Sequence, residues 1–293
     1  MTKETVIARR GTARHTFASP SPSPSSREWE TVFASPAKAT LKSLATGSVL
    51  VRLSGLVDLG DEKASGLCDA SLEVPVYAHL IRHEALGDFL VDAGLDRGYV
   101  RRKAGSVRGL ASPFLPVPGF QDAGADAATS LESMGVVPAC VFYTHLHFDH
   151  CAGALDLGPG IRHVVGPGEP EFGVPFLAIG RFFRHAESLE ELDFSVAQDM
   201  PFLGPCLDLL GDGSLWAFRT PGHSIAHVSY LFNGSGGPAL LAGDAVSLRA
   251  SAERAIGPGA YSGDLVEGRR SAERIRGFIE AYPNVRLVCG HEL

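Results

Sequence analysis

The sequence contains no long hydrophobic run, no paired cysteine motif and no excess of positive charge. No stretch of about 18 consecutive apolar residues occurs, which argues against a membrane-spanning helix. The five cysteines are scattered and form no CxxC pair, and such an odd, sparse set favours reduced thiols and a cytoplasmic location. The net charge of −7 disfavours nucleic acid and membranes as partners, because phosphate backbones and anionic lipids repel an acidic surface. The first residues, MTKETVIARRGTARHTF, lack the apolar centre of a secretion signal.

The chain does contain enough hydrophobic material for a full-sized core. It has 293 residues, of which 45% are hydrophobic and 20% charged, as in a globular protein. Residues 19–26 alternate serine and proline, a composition that stays extended and buries little. We therefore expect a flexible Ser/Pro-rich arm over residues 1–35 and a folded domain over residues 36–293. An arm of this kind is long enough to reach across a homodimer, which is the assembly we consider.

Short apolar runs separated by glycine, proline and aspartate predict strands from about residue 40 onward. The clearest runs are residues 47–53, 74–81, 88–92, 140–143, 215–219, 227–232, 239–242 and 285–289. Helices are predicted over residues 127–134 and 268–282, the second because apolar residues recur at helical spacing from Ile275 to Tyr282. This mixture without a strict strand–helix alternation predicts an α/β (α+β) fold in which helices cover sheets.

Three histidines and an aspartate occupy six positions, 145 to 150, directly after an apolar run. In an extended segment, residues two apart point to the same side, so His145 and His147 are placed to hold one metal ion together. Asp149 and His150 follow as the chain turns, and they are placed to reach a second ion. The HxHxDH run therefore predicts the local half of a site for two metal ions.

Three later strands end in a similar way, with a glycine followed by a candidate ligand. The pairs are Gly222-His223, Gly243-Asp244 and Gly290-His291. A glycine at such a place lets the backbone turn sharply and approach an ion. Because zinc takes three or four protein groups, we expect His223, Asp244 and His291 to complete the site.

The motifs THLHFDH, TPGHS, GD and GH, in this order, resemble those of the metallo-β-lactamase superfamily over roughly residues 45–293. The resemblance implies an αββα four-layer sandwich with the metal site at one edge, between two sheets. It assigns His145, His147 and His223 to one ion, Asp149, His150 and His291 to the second, and Asp244 to both. It also assigns Asp92 the part of the acid in the family's Asp-Thr-Gly turn, which supports a ligand, although Ala93 replaces the threonine here.

Within the superfamily, the chain looks most like the N-acyl homoserine lactonase-like group, which includes phosphotriesterase-type members. The similar segments are residues 74–81, 131–135 and 220–227. Lactonases that act on quorum signals often carry a tyrosine three residues after the bridging aspartate, and position 247 is serine here. This departure leaves the substrate undecided, and it makes Ser247 and Tyr261 candidates for substrate binding, the second as a replacement for the missing tyrosine.

The resemblance implies a hydrolase that uses a hydroxide held between two divalent metal ions, so that no serine or cysteine nucleophile is needed. Zn²⁺ is the ion we predict, and Mn, Fe and Co are the alternatives. Asp149 and Asp244 are the predicted catalytic acids, with Asp149 as the proton shuttle. The predicted substrate is a small-molecule lactone or ester, with a phosphotriester as a further candidate.

Several residues near the motifs have less specific signals. His227 is interpreted as a core histidine or a support for a ligand rather than as a ligand, and Cys151 as a small buried filler. Phe182, Phe183 and Arg184 are candidates for substrate contacts on a lid. The alternative is that this segment is an ordinary surface helix with apolar anchors.

Other activities of the superfamily agree less well with the sequence. Thioester hydrolases of the glyoxalase II type append a helical domain after the last metal histidine, whereas this chain ends at Leu293. β-Lactamases with the HxHxDH motif lack the bridging aspartate that Asp244 supplies. The nucleases usually add a further domain or a basic clamp, and diiron binding proteins of the superfamily have glutamate in place of His147.

Overall fold

The computed structural model describes residues 15–17, 28–106, 118–169 and 182–293, which form fourteen strands and six α-helices. The strands are β1 (His15–Phe17), β2 (Ala39–Arg52), β3 (Ser71–His83), β4 (Gly87–Val91), β5 (Gly119–Phe120), β6 (Cys140–Phe142), β7 (Arg162–Val165), β8 (Leu189–Leu192), β9 (Gln198–Met200), β10 (Gly204–Asp208), β11 (Leu215–Arg219), β12 (Val228–Gly234), β13 (Gly237–Leu241) and β14 (Arg286–Val288). The helices are α1 (Trp29–Phe33), α2 (Leu53–Leu56), α3 (Ala127–Met134), α4 (Phe148–Cys151), α5 (Arg249–Arg254) and α6 (Leu265–Ala281).

The strands form two sheets. The first has eight strands in the order β1-β8-β7-β6-β4-β3-β2-β5, and the second has six in the order β14-β13-β12-β11-β10-β9. In the first sheet, β4 and β6 are parallel neighbours. In the second, β11 and β13 are both antiparallel to β12, and β14 is parallel to β13. The strands β11, β13 and β14 therefore run in one direction, and their C-terminal ends lie at the same edge of the sheet.

The two sheets pack face to face over a shared hydrophobic cluster. Ile81 of β3 and Phe142 of β6 belong to this cluster, together with Tyr230 of β12 and Leu241 of β13. All four side chains are buried. Since side chains alternate between the two faces of a strand, their neighbours along each strand point outward and need a second cover.

Helices supply that cover on both outer faces. On the first sheet, Leu80 and Val141 share a cluster with Leu131 of α3. On the second sheet, Trp216 of β11 shares a cluster with Phe278 of α6. The order of layers is thus helix, sheet, sheet, helix, and the predicted αββα sandwich is confirmed.

The helix α6 begins three residues before the predicted start, at Leu265. The side chain of Asp264 accepts hydrogen bonds from the backbone N–H groups of Val266 and Glu267, and this N-cap fixes the start. The predicted bounds of α3 agree with the structure. No helix in the described ranges combines the length and the apolar character that a bilayer-spanning segment needs.

The predicted arm, residues 1–35, is described only in part, and the described part packs on the domain. Trp29 is fully buried, with its ring centroid 5.5 Å from that of Trp216, and its indole N–H donates to the carbonyl of Pro201. Phe17 of β1 packs edge to face on Phe142, with centroids 5.4 Å apart. Residues 15–17 and 28–35 thus pack on the domain, whereas the prediction was a flexible arm. The reason is that the aromatic side chains of Phe17 and Trp29 are buried in the core. Residues 19–26 lie outside the described ranges.

Candidate metal centre

The seven predicted ligands come together at one edge of the sandwich, between the two sheets. The segment after β6 carries four of them, and the segments that follow β11, β13 and β14 carry His223, Asp244 and His291. Their ligand atoms form two groups, each with all atoms within 4.8 Å of one another: His145, His147, His223 and Asp244 in the first group, and Asp149, His150 and His291 in the second.

The carboxylate of Asp244 lies between these two groups. Its Oδ2 is 3.2 Å from Nε2 of His223, and its Oδ1 is 3.4 Å from Nε2 of His150. Its Oδ2 is also 3.6 Å from Nε2 of His291. One carboxylate therefore faces histidines of both groups, which is the position that a residue shared by two cations has to occupy.

Several atoms at the centre are buried without a hydrogen-bond partner among the described residues. They are Nε2 of His145, Nε2 of His150 and Oδ1 of Asp244. An unsatisfied buried polar atom costs roughly 1–3 kcal/mol, so three of them in one place are unfavourable unless another group satisfies them. Divalent cations bind imidazole nitrogen and carboxylate oxygen, and the donor set therefore fits metal ions.

The outer nitrogens of two histidines have fixed hydrogen-bond acceptors. Nδ1 of His291 donates to the carbonyl of Pro75 at 3.0 Å, and Nδ1 of His150 donates to Oδ2 of Asp92 at 2.8 Å. A proton on Nδ1 leaves the Nε2 lone pair directed at the centre. Histidines that ligate metals in proteins have this arrangement, with the second N–H on a carbonyl or a carboxylate.

The electrostatics of the centre also favour cation binding. Burial lowers the pKa of His145 and of His223 well below the ordinary value, so both imidazoles are neutral ligands at neutral pH. Burial also acts to lower the pKa of His150, but the carboxylates of Asp244 and Asp92 outweigh it and raise that pKa well above the ordinary value. A cation binds only the neutral form of His150, with the proton on Nδ1 and the lone pair on Nε2, so cation binding is expected to release the second proton of the ring.

Residues 72–291 match the family model described as the metallo-β-lactamase superfamily. The chain belongs to this superfamily. The match contains all seven converging side chains, and superfamily membership indicates divalent metal ions as the cofactors.

Individual members of the superfamily resemble the chain over most of the fold. The N-acyl homoserine lactonase AttM of Agrobacterium fabrum is 31% identical over 170 residues, which cover 55% of this chain and 61% of that protein. The chain thus matches about six-tenths of the length of this relative. An N-acyl homoserine lactone hydrolase solved with N-hexanoyl-L-homoserine at its metal centre has a TM-score of 0.68 at 18% identity, with 88% of this chain and 94% of that chain covered. AidC, a dizinc quorum-quenching lactonase, has a TM-score of 0.59 at 13% identity, with 88% of each chain covered.

Asp92 lies beside the start of the histidine motif and contacts one of the predicted ligands. Because β4 and β6 are parallel neighbours, the residues after them lie side by side, and Oδ1 of Asp92 accepts the backbone N–H of Thr144 at 2.8 Å. Its Oδ2 accepts from His150 and from the hydroxyl of Thr144. The backbone of Asp92 is left-handed, with φ of 58°, a conformation that aspartate tolerates better than most residues. Asp92 therefore fixes the ring of His150 and the start of the histidine motif.

His227 contacts the backbone of Asp244 rather than the ligand atoms. Its Nε2 accepts the backbone N–H of Asp244 at 3.1 Å, so its Nδ1 carries the proton and donates to the hydroxyl of Thr220 at 2.8 Å. Burial lowers the pKa of His227 to about 3, which keeps the ring neutral. This position agrees with the interpretation of His227 as a support for a ligand.

Gly290 lies where the backbone passes close to the carboxylate of Asp244. A Cβ atom at position 290 would lie 2.1 Å from Oδ1 of Asp244 and 2.9 Å from the carbonyl oxygen of Gly243. No side chain fits in this space without moving the carboxylate. The sequence analysis predicted a close approach of the backbone to an ion at this glycine, and the structure shows a close approach to the carboxylate of Asp244.

Gly290→Ala is expected to weaken metal binding by about 10-fold or more, because the added methyl displaces the carboxylate shared by both groups. Competition with a chromogenic chelator measures this affinity. Gly236→Ala is the matched control, since a Cβ there meets nothing within 4 Å. Equal metal affinity in the two variants would contradict the expectation.

The candidate substrate-binding residues have different surroundings. Phe182 and Phe183 are only 1% and 7% exposed, and the ring of Phe183 packs on that of Tyr143. Side chains so buried offer little surface to a ligand, which favours the alternative, apolar anchors, and their predicted contact with substrate stays a prediction. Arg184 is exposed, with its Nε donating to Nε2 of His185, and its predicted substrate contact stays a prediction. The rest of the proposed lid, from 176 to 181, lies outside the described residues.

Ser247 and Tyr261 already make contacts within the chain. The carbonyl of Ser247 accepts the backbone N–H of His291 at 3.0 Å, and the side chain is buried. The hydroxyl of Tyr261 accepts the backbone N–H of Arg52 at 3.2 Å. Both residues lie next to ligand segments, and their predicted roles in substrate binding stay predictions.

The structure adds residues that the sequence motifs did not indicate. The carbonyl of Pro75 accepts a hydrogen bond from His291, and Ser262 places its Oγ 3.4 Å from Nδ1 of His223. Glu169 is buried and contacts the segments of two ligand motifs. The only signal for Glu169 is an acid in Gly166-Pro-Gly-Glu169, directly after the apolar strand β7.

Proposed function

We propose that this protein is a metal-dependent hydrolase of small-molecule lactones or esters that binds two divalent cations, most suitably Zn²⁺. The observation that carries the proposal is the pair of ligand groups that share Asp244. Support for a lactone comes from the resemblance to AttM, whose name describes an N-acyl homoserine lactonase. Support for zinc comes from AidC, which is described as dizinc.

The proposed division of ligands follows the two groups. His145, His147 and His223 would hold one cation, Asp149, His150 and His291 the other, and Asp244 both. When bound, such a pair of ions supplies a Lewis acid for the substrate carbonyl and lowers the pKa of water toward neutrality.

Asp149 is the residue that we propose for proton transfer to the leaving alkoxide. Asp149 is 8% exposed, and its Oδ2 lies 3.7 Å from Nε2 of His291. It therefore stands at the centre while keeping a small opening to incoming molecules. A general acid or base has to lie within hydrogen-bond reach of the reacting group, and Asp149 is well placed for that role.

Cys151 is a poor candidate for a nucleophile, although it follows the metal motif. Its side chain is fully buried, and its thiol contacts the carbonyl of Leu146 at 3.6 Å. Burial raises the pKa of this thiol well above the ordinary value. Since the thiolate is the nucleophilic form, the proposal needs no covalent intermediate on cysteine.

Removal of metal by a chelator is expected to abolish turnover and to lower the unfolding temperature, because cations that bind only the folded state stabilise it. Reloading with Zn²⁺, Mn²⁺ or Co²⁺ should restore a content of about two ions per chain. Turnover should return together with the metal. Substrates for this assay are a γ-lactone, an aryl ester, a phosphotriester and a cephalosporin. Turnover that persists without metal would contradict the proposal, and preferred turnover of the phosphotriester or the cephalosporin would change its substrate class.

A further inference from the structure

Glu169 is the carboxylate near the metal centre that the ligand motifs leave without a role. It is only 1% exposed. Its Oε1 accepts the backbone N–H of Leu146 at 3.0 Å, and its Oε2 accepts the hydroxyl of Ser224 at 2.8 Å. The backbone N–H of Ala226 is a further hydrogen-bond donor to the same carboxylate.

These partners belong to the two segments that carry the histidines of the first ligand group. Leu146 lies between His145 and His147, and Ser224 directly follows His223. Each of the three histidines is therefore one residue away from a group that Glu169 binds. The carboxylate links the segment after β6, in the first sheet, to the segment after β11, in the second sheet.

The second ligand group is held by different partners. His150 donates to Asp92 on the segment after β4, and His291 donates to the carbonyl of Pro75 on β3. Within the described residues, the hydrogen bonds of Glu169 come from Leu146, Ser224 and Ala226, which are not members of this group. The contacts of Glu169 thus lie on the segments of the first group, whereas Asp92 holds His150 and, through Thr144, also the start of the segment that carries His145.

The charge of Glu169 also needs an explanation. Burial raises its pKa, and no lysine or arginine in the described ranges forms an ion pair with it. The hydrogen bonds from Leu146, Ser224 and Ala226 act in the opposite direction and stabilise the carboxylate form of Glu169.

We infer that Glu169 is a positioning residue for the first cation of the proposed metal centre: it holds the two segments that carry His145, His147 and His223 at the separation at which they share one ion. This inference rests on the proposed function for the presence of metal, but not for the substrate. Glu169 is not expected to touch the cation or the substrate. Its effect passes through the backbone of Leu146 and the side chain of Ser224.

The test measures the two metal affinities separately in purified full-length protein. Stepwise zinc affinities come from chelator competition, and anomalous scattering from crystals at limiting zinc shows which position is filled. In Glu169→Ala, the first position is expected to lose about 10- to 100-fold in affinity, in the range found when a partner of a ligand is removed. The affinity of the second position should change by less than about 3-fold on the same basis.

Two milder variants and a control separate positioning from general stability. Ser224→Ala removes one hydrogen bond and leaves the carboxylate, so it should lower the zinc affinity of the first position by a few-fold. This variant replaces Glu169→Ala in the test if Glu169→Ala does not fold. Glu169→Gln keeps the acceptor for Leu146 and removes the charge. Its zinc affinity at the first position should lie between that of wild type and that of Glu169→Ala. Glu280→Ala removes an exposed glutamate of α6 and should leave the zinc affinity of both positions unchanged.

Equal weakening of both positions in Glu169→Ala, or no change in either, would overturn the inference. A lower unfolding temperature of the metal-free variant with normal zinc affinities would also overturn it, since that result describes a purely structural residue. If wild type binds two ions and hydrolyses no lactone or ester, the proposed substrate fails while the assignment of Glu169 is still decided by the zinc affinities.

Discussion

Asp244→Asn is expected to lower the rate of hydrolysis by about 10³-fold or more and to reduce the metal content of the protein. The carboxylate faces His223 with one oxygen and His150 with the other, and the amide replaces one of these oxygens by an NH₂ group. An NH₂ group cannot bind a cation, so one ligand group loses a member. A loss of about 4 kcal/mol of transition-state stabilisation, within what a metal ion supplies, corresponds to this rate factor.

Steady-state kinetics and metal analysis of the same preparation test this expectation. Asp88→Asn is the matched control, because Asp88 forms an ion pair with Arg82 far along the chain from the ligands. The control should keep its metal and its rate. An Asp244→Asn protein with two ions and a normal rate would show that the carboxylate is not shared by the two groups in the way we propose.

Asp149→Asn is expected to lower kcat by about 10²- to 10³-fold, the size of a typical general acid–base contribution, while KM changes little. The amide oxygen still offers a ligand atom, so metal content at saturating zinc should be close to that of wild type. The loss should depend on the leaving group. An alkyl lactone needs a proton on its departing oxygen, whereas an aryl ester with an acidic phenol does not.

The comparison of these two substrates decides the role of Asp149. A large loss with the lactone and a small loss with the activated aryl ester supports proton transfer. The same loss with both substrates would make Asp149 a ligand only. A near-normal rate with full metal would exclude proton transfer by this carboxylate.

The convergence of the seven side chains could be predicted because each candidate ligand follows a recognisable apolar strand. A buried strand and a motif such as His145 to His150 are local patterns, and four such patterns in order restrict the fold to few alternatives. The bounds of α3 and the strand 215–219 were predicted for the same reason. The shared position of Asp244 came from the resemblance to the superfamily, since no local pattern states which ligand faces two ions.

The parts that the sequence did not predict depend on contacts between distant segments. The strand β8 reads Leu-Glu-Glu-Leu, a polar run whose Glu190 pairs with Arg162 on the neighbouring strand β7. Trp29 follows a Ser/Pro-rich stretch and is buried only because Trp216 and Phe278 leave room for it. Glu169 makes its contacts 23 and 55 residues away in sequence. For β8, Trp29 and Glu169, the neighbouring residues in the sequence do not indicate the distant residues that they contact.

The two ligand groups draw members from both sheets, and this has a mechanical consequence. His147 and Asp149 are carried by the first sheet, whereas His223, Asp244 and His291 are carried by the second. Bound cations would therefore act as a reversible cross-link between segments up to 146 residues apart, from His145 to His291, and closing long loops removes much freedom from an unfolded chain. Sliding one sheet past the other would require breaking coordination bonds. The proposed metal centre would therefore also stabilise the packing of the two sheets.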